Sequence, residues 1–138
     1  MIIFLILILL ASPAHAQEFY VYKPVKITDG DTIKLDVSKE SPLIKKLGLS
    51  VRIKGIDTPE KAPRAKCKKE SELGQQATKY TTELVGNKEL LLSQVENDHY
   101  GGRIVANVKV GSVDIAQELL KKGLARVYNG EKKKSWCD

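Results

Sequence analysis

Two acidic segments stand at the ends of strand-like patterns and could share one metal ion. Asp29-Gly30-Asp31-Thr32 gives a strong hairpin-turn signal, and Asp57 directly follows an alternating strand pattern. A side chain at a strand end can leave the sheet, so Asp57 could meet Asp31, and paired carboxylates attract a hard divalent cation. The first segment alone is equally well explained as a structural turn, because Asp-Gly is a common hairpin pair. The second carboxylate favours the cation site.

The segment after Asp57 also has two interpretations. Thr58-Pro59-Glu60 reads as a helix start, with a capping threonine, a proline in the first helical position and an acidic first turn. Its position directly behind the second carboxylate makes it equally a part of the site. By itself this tripeptide is a weak signal.

The elements that must position these residues follow a βββαββα order. Strand patterns cover residues 19–27, 33–37, 49–53, 90–92 and 104–110. The third strand carries Arg52 on its polar face, and residues 38–48 lack any period and predict a loop. One helix of about four turns ends at Gly86-Asn87, and Ser112 caps a second helix that ends at Gly123. Short strands on so few residues favour a small closed barrel of the OB type.

Composition indicates one globular domain with a basic surface. The chain has 138 residues, of which 42% are apolar and 29% are charged, and its net charge is +6. This balance of apolar and charged residues indicates neither a disordered chain nor a bundle of membrane helices. The charge favours a polyanionic partner, although a cationic surface that only keeps the protein soluble explains it about as well. Apart from His15 the only histidine is His99, which argues against a two-histidine ribonuclease and a histidine-rich zinc site.

The N-terminus predicts export. Residues 2–11 form an apolar run too short to cross a bilayer, and Ala14-His15-Ala16 fits a signal-peptidase site, so we interpret residues 1–16 as a signal peptide and residues 17–138 as the mature domain. No lysine or arginine precedes the run, which leaves an uncleaved anchor open. The expected location is secreted or periplasmic. In such an oxidising compartment Cys67 and Cys137 are expected to form a disulfide.

Four motifs, in this order, resemble the thermonuclease (staphylococcal nuclease-like) family. They are DGDT at 29–32, RIKGIDTPE at 52–60, LGQQA at 73–77 and DHYGGR at 98–103, and the resemblance covers about residues 22–128. It implies a five-stranded OB-fold barrel with two to three helices. Nothing in the sequence demands an oligomer, so a monomer is expected. The chain departs from the common Tyr-Gly-Arg form by one extra glycine, Gly102 or Gly101, which leaves the register of that hairpin open.

The resemblance assigns roles to the site residues. It implies that Asp31, Asp57 and the backbone carbonyl of Thr58 hold Ca²⁺, or another divalent ion such as Mg²⁺, with few protein charges and therefore modest affinity. Glu60 would orient or deprotonate the attacking water. Arg52 and Arg103 would clamp the phosphate of DNA or RNA, since a guanidinium donates two parallel hydrogen bonds and stays charged.

Three more residues are expected to contact the substrate: His99, Tyr100 and Tyr128. His99 stands where relatives often have a lysine, and a lone loop histidine is more often inert. The family's C-terminal helix has no counterpart here, and the predicted disulfide would hold the C-terminus instead. The basic tail at 129–138 is expected to be irregular and mainly solvated. Phosphate contacts from Lys132 to Lys134 and base stacking by Trp136 are the alternative.

Two rival functions remain for such a chain. OB-type barrels commonly bind single-stranded oligonucleotides without cutting them, and a basic secreted domain could adhere to an acidic polymer. A binder has no use for Asp31, Asp57 and Glu60 near a polyanion, because their repulsion weakens affinity. The sequence therefore favours an enzyme that hydrolyses phosphodiester bonds, leaving 3′-phosphate ends by family resemblance.

Overall fold

The computed structural model describes residues 16–138. The predicted signal peptide at residues 1–16 lies outside this range except for Ala16. None of the helices within the range combines the length and hydropathy needed to cross a bilayer.

Nine strands and three helices make up the described chain. In chain order they are β1 Phe19–Tyr22, β2 Pro24–Asp29, β3 Thr32–Leu35, α1 Pro42–Leu47, β4 Ser50–Ile53, β5 Ile56–Asp57, α2 Lys68–Val85, β6 Leu90–Asn97, β7 Arg103–Val110, β8 Val113–Asp114, α3 Ile115–Lys121 and β9 Arg126–Val127. The main sheet runs β1-β6-β7-β4-β3-β2, with β8 paired to β7. Strands β5 and β9 form a separate antiparallel pair.

The first predicted strand supplies both edge strands of the main sheet. Residues 19–27, predicted as one strand, are divided at Lys23, with β1 on β6 and β2 on β3. Pro24 begins β2, a strand position that tolerates the missing N–H of proline. Only Lys23 separates the two edge strands, so the edges come together at this residue, in agreement with the predicted OB-type fold.

Helix α2 packs on the turn that carries the first carboxylates. The Thr81 hydroxyl donates to the Gly30 carbonyl at 2.7 Å. A Cβ atom at Gly30 would lie 2.7 Å from the Ala77 Cβ, and one at Gly74 would clash with the Glu60 carbonyl oxygen. Glycine at these two positions therefore lets the helix approach both acidic segments. The core beneath contains Ile33, Ile53 and Leu92, all fully buried.

Four local predictions need correction. The loop predicted at 38–48 contains α1, which Ser41 caps and Pro42 begins. Asp114, rather than Ser112, caps the last helix, because its Oδ1 accepts the Gln117 N–H at 3.2 Å. Thr58-Pro59-Glu60 starts no helix, since α2 begins ten residues later at Lys68. The remaining correction concerns the C-terminal tail, described below.

The structure contains the predicted Cys67–Cys137 disulfide, with the Cα atoms 6.0 Å apart. Cys67 is also the N-cap of α2, so the bridge ties the C-terminus to the start of the long helix. After Val127 the described chain has no further helix or strand, as predicted. The tail is nevertheless not simply solvated, because Trp136 is buried.

Candidate active site

Asp31 lies in the turn between β2 and β3 and is almost fully buried. Its Oδ2 accepts the backbone N–H of Thr58 at 3.2 Å, and its Oδ1 accepts the Thr32 hydroxyl at 3.1 Å. The bond to Thr58 joins the turn at Asp31 to the segment that follows Asp57. Burial, followed by the nearby carboxylate of Asp29, raises the pKa of Asp31 to about 7. The negative charge at Asp31 is therefore under-compensated by the protein.

Asp57 ends the short strand β5 and is also buried. Both of its carboxylate oxygens have partners from the C-terminal tail. The indole Nε1–H of Trp136 donates to Oδ2 at 3.3 Å, and Lys133 Nζ lies 3.1 Å from Oδ1. Asp57 therefore has a cation in direct contact, whereas the Arg52 guanidinium lies 3.9 Å from Asp31 Oδ2.

Glu60 has one carboxylate oxygen poorly satisfied. Its Oε2 is buried without a hydrogen-bond partner among the described residues. Arg64 Nε lies 3.4 Å from this atom, which is an ion-pair distance but lacks the geometry of a hydrogen bond. Arg64 Nη2 also contacts Asp29 Oδ2 at 3.2 Å, so this exposed arginine links the two carboxylates. The free acceptor on Glu60 suits a water molecule.

Arg52 projects from β4 toward Asp31. Its Nη2 donates to the Ile56 carbonyl at 3.2 Å and lies 3.9 Å from Asp31 Oδ2. Its guanidinium carbon lies 5.3 Å from the centre of the Tyr128 ring. Register with β3 explains this placement, because Arg52 pairs with Thr32, the residue after Asp31.

Arg103 begins β7, and the turn before it absorbs the extra glycine. Gly102 adopts a φ of 72°, which glycine tolerates, and its carbonyl accepts the Ser50 N–H at 2.8 Å. Arg103 pairs with Asp98 and stacks on Tyr100 at 4.5 Å from the ring centre. Burial alone would raise the pKa of Asp98, but Arg103 and the His99 N–H hold it below its usual value.

Three adjoining clefts bring the predicted residues together. The central cleft, about 440 Å³, is lined by residues that include Asp31, Arg52, Glu60 and Arg103. The Asp57 cleft, about 540 Å³, is lined by Asp57, Thr58, Glu60 and Trp136 among others. The tyrosine cleft, also about 540 Å³, contains His99, Tyr100 and Tyr128. Lys133 lines all three.

The donor set at these clefts fits a hard divalent cation with much of its shell left to water. Asp31 offers carboxylate oxygens in the central cleft and Asp57 offers them in the Asp57 cleft, and the Thr58 N–H donates to Asp31. No group of three or more His, Cys, Asp or Glu side chains that could enclose a metal occurs in residues 16–138. A closed, high-affinity site is therefore not built here, whereas an oxygen-rich open site agrees with the under-compensated charge at Asp31.

The sequence did not indicate that Asp29 and Arg64 contact the site, and it offered Lys133 and Trp136 only as alternative contacts for phosphate and bases. Asp29 was part of the first motif but was treated only as a turn residue. Arg64 lies in the basic connection at 61–69, whose pairing with an acidic neighbour four residues earlier was a usable signal. Nothing in the tail's sequence indicated that Trp136 would reach Asp57, since 79 positions separate them.

The fold and clefts define a small OB-type protein with an acidic site flanked by two arginines. The family described as "Staphylococcal nuclease homologue" matches residues 50–136, and the chain belongs to that family. The match contains the second acidic segment and both arginines, while Asp31 precedes it.

Relatives agree with this assignment. An "Uncharacterized endonuclease" of Haemophilus influenzae is 32% identical over 124 residues, covering 90% of this chain and 61% of the relative. A "Thermonuclease" of Staphylococcus hyicus is 32% identical over 119 residues, covering 84% and 63%. An uncharacterised protein of Methanocaldococcus jannaschii is 29% identical over 134 residues, covering 81% and 61%. The chain thus spans about three fifths of the length of each of these relatives.

Proposed function

We propose that this protein is a metal-dependent nuclease that hydrolyses phosphodiester bonds of DNA or RNA. One observation carries the proposal: a single cleft is lined by Asp31, Glu60 and the two arginines Arg52 and Arg103. A binding surface for a polyanion gains nothing from buried carboxylates. The thermonuclease and endonuclease named among the relatives support the same activity.

The two arginines bind the scissile phosphate from different strands. Arg52 comes from β4 and Arg103 from β7, and these strands are neighbours in parallel register. Guanidinium groups complement the charge that grows on the phosphate oxygens as the bond breaks. Arg103 must exchange its Asp98 contact for the phosphate, while the Tyr100 ring keeps its guanidinium near the cleft.

Glu60 orients the attacking water. Glu60 lines the central cleft, its Oε2 has no hydrogen-bond partner among the described residues, and Arg64 Nε lies 3.4 Å from that atom. Attack in line with the leaving 5′ oxygen gives 3′-phosphate ends, as the family resemblance implies.

Asp31, Asp57 and the Thr58 carbonyl are the residues that would hold the divalent cation, which we propose is calcium. When bound, the cation supplies positive charge beside the phosphate and compensates the buried carboxylates. The oxygen-only donor set favours calcium or magnesium over zinc.

Open clefts and cationic contacts support sequence-independent, endonucleolytic cleavage. His99, Tyr100 and Tyr128 line the tyrosine cleft next to both arginines, where rings can stack on sugars or bases of any sequence.

We also propose that the protein is exported and monomeric. The apolar segment at 2–11 and the disulfide support export, because disulfides persist in oxidising compartments.

A cleavage assay tests the proposal. The mature chain from Gln17 is incubated with single-stranded DNA, double-stranded DNA and RNA, with calcium or with chelator. We expect cleavage that requires calcium. The 3′-phosphate ends would be detected because phosphatase treatment changes the gel mobility of the product fragments. Binding without cleavage under every metal tried would instead establish a non-catalytic OB-fold module for single-stranded nucleic acid.

A further inference from the structure

The C-terminal tail contacts the metal-binding carboxylate Asp57 through two side chains of opposite character. Trp136 offers a neutral N–H donor to Oδ2, at 3.3 Å. Lys133 offers a full positive charge to Oδ1, at 3.1 Å. A divalent cation can share Asp57 with the indole, but it must compete with the ammonium group for the same charge.

Trp136 is fixed in place from several sides. Its side chain is 7% exposed, and the Arg126 guanidinium lies 3.8 Å from the ring centre. Arg126 also donates to the Ser135 carbonyl at 2.6 Å, and its backbone pairs with Asp57 across β5 and β9. The neighbouring residue, Cys137, is held by the disulfide. The indole is therefore a rigid donor aimed at the carboxylate.

Lys133 is held much less firmly. Half of its side chain is exposed, and its other close contact is the Tyr128 ring, 5.5 Å away. It lines the central, Asp57 and tyrosine clefts together, so it lies between Asp57 and the residues expected to bind phosphate. A short swing about its flexible stem would release Asp57 and leave the ammonium group beside the substrate.

We propose that the tail completes the metal site: Trp136 is a positioning residue that orients Asp57, and Lys133 is a displaceable internal cation that occupies Asp57 until a divalent cation binds. The proposal rests on the proposed function and deepens it. Partners that orient a ligating carboxylate typically change metal affinity by tenfold or more. A competing ammonium group acts in the opposite direction, because its ion pair must break first.

Calcium titration of three variants tests this directly, without any cleavage readout. We expect Trp136→Phe, which keeps the ring and removes the N–H, to weaken calcium binding about tenfold. We expect Lys133→Gln to tighten it about two- to fivefold, the range for a partly exposed ion pair. Lys134→Gln is the matched control, because it removes the same charge from the same tail, and its affinity should stay within about twofold. Titration calorimetry at low ionic strength measures all three.

The two shifts of opposite sign separate this role from a structural one. Loss of tail packing in Trp136→Phe would appear as a lower melting temperature, whereas Lys133→Gln alters an exposed side chain and tests the competition even then. Unchanged or weaker calcium binding in Lys133→Gln, or wild-type affinity in Trp136→Phe, overturns the inference while leaving the nuclease intact. A wild-type protein that neither binds divalent cations nor cuts nucleic acid overturns the proposed function itself.

Discussion

At the scale of single residues, the site combines groups whose charges are compensated to different degrees. Asp57 has partners on both oxygens, Asp31 is buried beside a second carboxylate, and Glu60 keeps a free acceptor. The arginines are similarly unequal, since Arg52 is anchored on a backbone carbonyl and Arg103 is paired with Asp98. Each residue can therefore be tested by a change that affects one step.

Replacing Arg103 by lysine should lower turnover far more than binding. Lysine keeps the charge but loses the planar pair of donors that fits a phosphate oxygen pair. We expect kcat to fall about a hundredfold, as for loss of one transition-state donor, with KM changing little. Steady-state kinetics on a fluorogenic oligonucleotide measure both, and a kcat equal to wild type would contradict the role of Arg103.

The raised pKa of Asp31 predicts how the metal-free protein responds to pH. The folded carboxyl holds its proton up to about pH 7, while the unfolded one ionises near 3.8. The folded state therefore binds more protons in this window, so the free energy of unfolding should fall as pH rises from about 4 to about 7.

Urea unfolding with chelator at several pH values checks this slope. Asp31→Asn, which cannot ionise, should flatten it, and calcium should stabilise the wild type more at pH 7.5 than at pH 5. A stability that rises across the window by the same amount in both proteins would show that Asp31 has an ordinary pKa.

At the scale of elements, the disulfide and the short β5–β9 pair bring the tail to the site. Asp57 of β5 pairs with Arg126 of β9, and the disulfide joins Cys67 to Cys137, which are 70 residues apart in the sequence. The irregular tail makes few other backbone bonds, so these ties are its main support. The long helix α2 supports the opposite side through Gly74 and Thr81.

Removing the disulfide should lower the free energy of unfolding by about 4 kcal/mol in the chain-entropy view. Cys67→Ser with Cys137→Ser is suitable, because serine can still cap α2 at position 67. Thermal and urea unfolding measure the loss, and wild-type protein under reducing conditions is the control that should match the variant. Equal stability of oxidised and reduced protein would mean that the bridge adds no support.

At the scale of the whole molecule, the net charge of +6 and the cationic clefts should make substrate binding sensitive to salt. Without metal, Lys133 stays on Asp57, so two phosphate contacts, from Arg52 and Arg103, give a slope of about −1.4 in log affinity against log salt for a single strand. Affinity should then fall about sevenfold between about 50 and 200 mM salt. Fluorescence anisotropy with chelator measures this, and a slope near zero would place the substrate away from these residues.

The sequence by itself predicted the residues of the candidate site and determined the order of the main elements. Asp-Gly turns, alternating strands and a capped helix are local signals, so the motifs at 29–32, 52–60 and 98–103 were identified together with the elements that carry them. Local signals gave wrong predictions where they were weak. Ser41-Pro42 begins a helix in a segment that shows no hydrophobic periodicity, and Asp114 rather than Ser112 caps the last helix.

Only the tertiary structure decided how the site is completed. The division of the first strand at Lys23 depends on pairing with β6, some 70 residues later, and the contact of Trp136 with Asp57 depends on a disulfide and on burial. Such contacts join residues distant in the chain, and their strength comes from packing and desolvation rather than from any local pattern. That is why a basic tail that reads as solvated contributes a buried tryptophan and a lysine to the site.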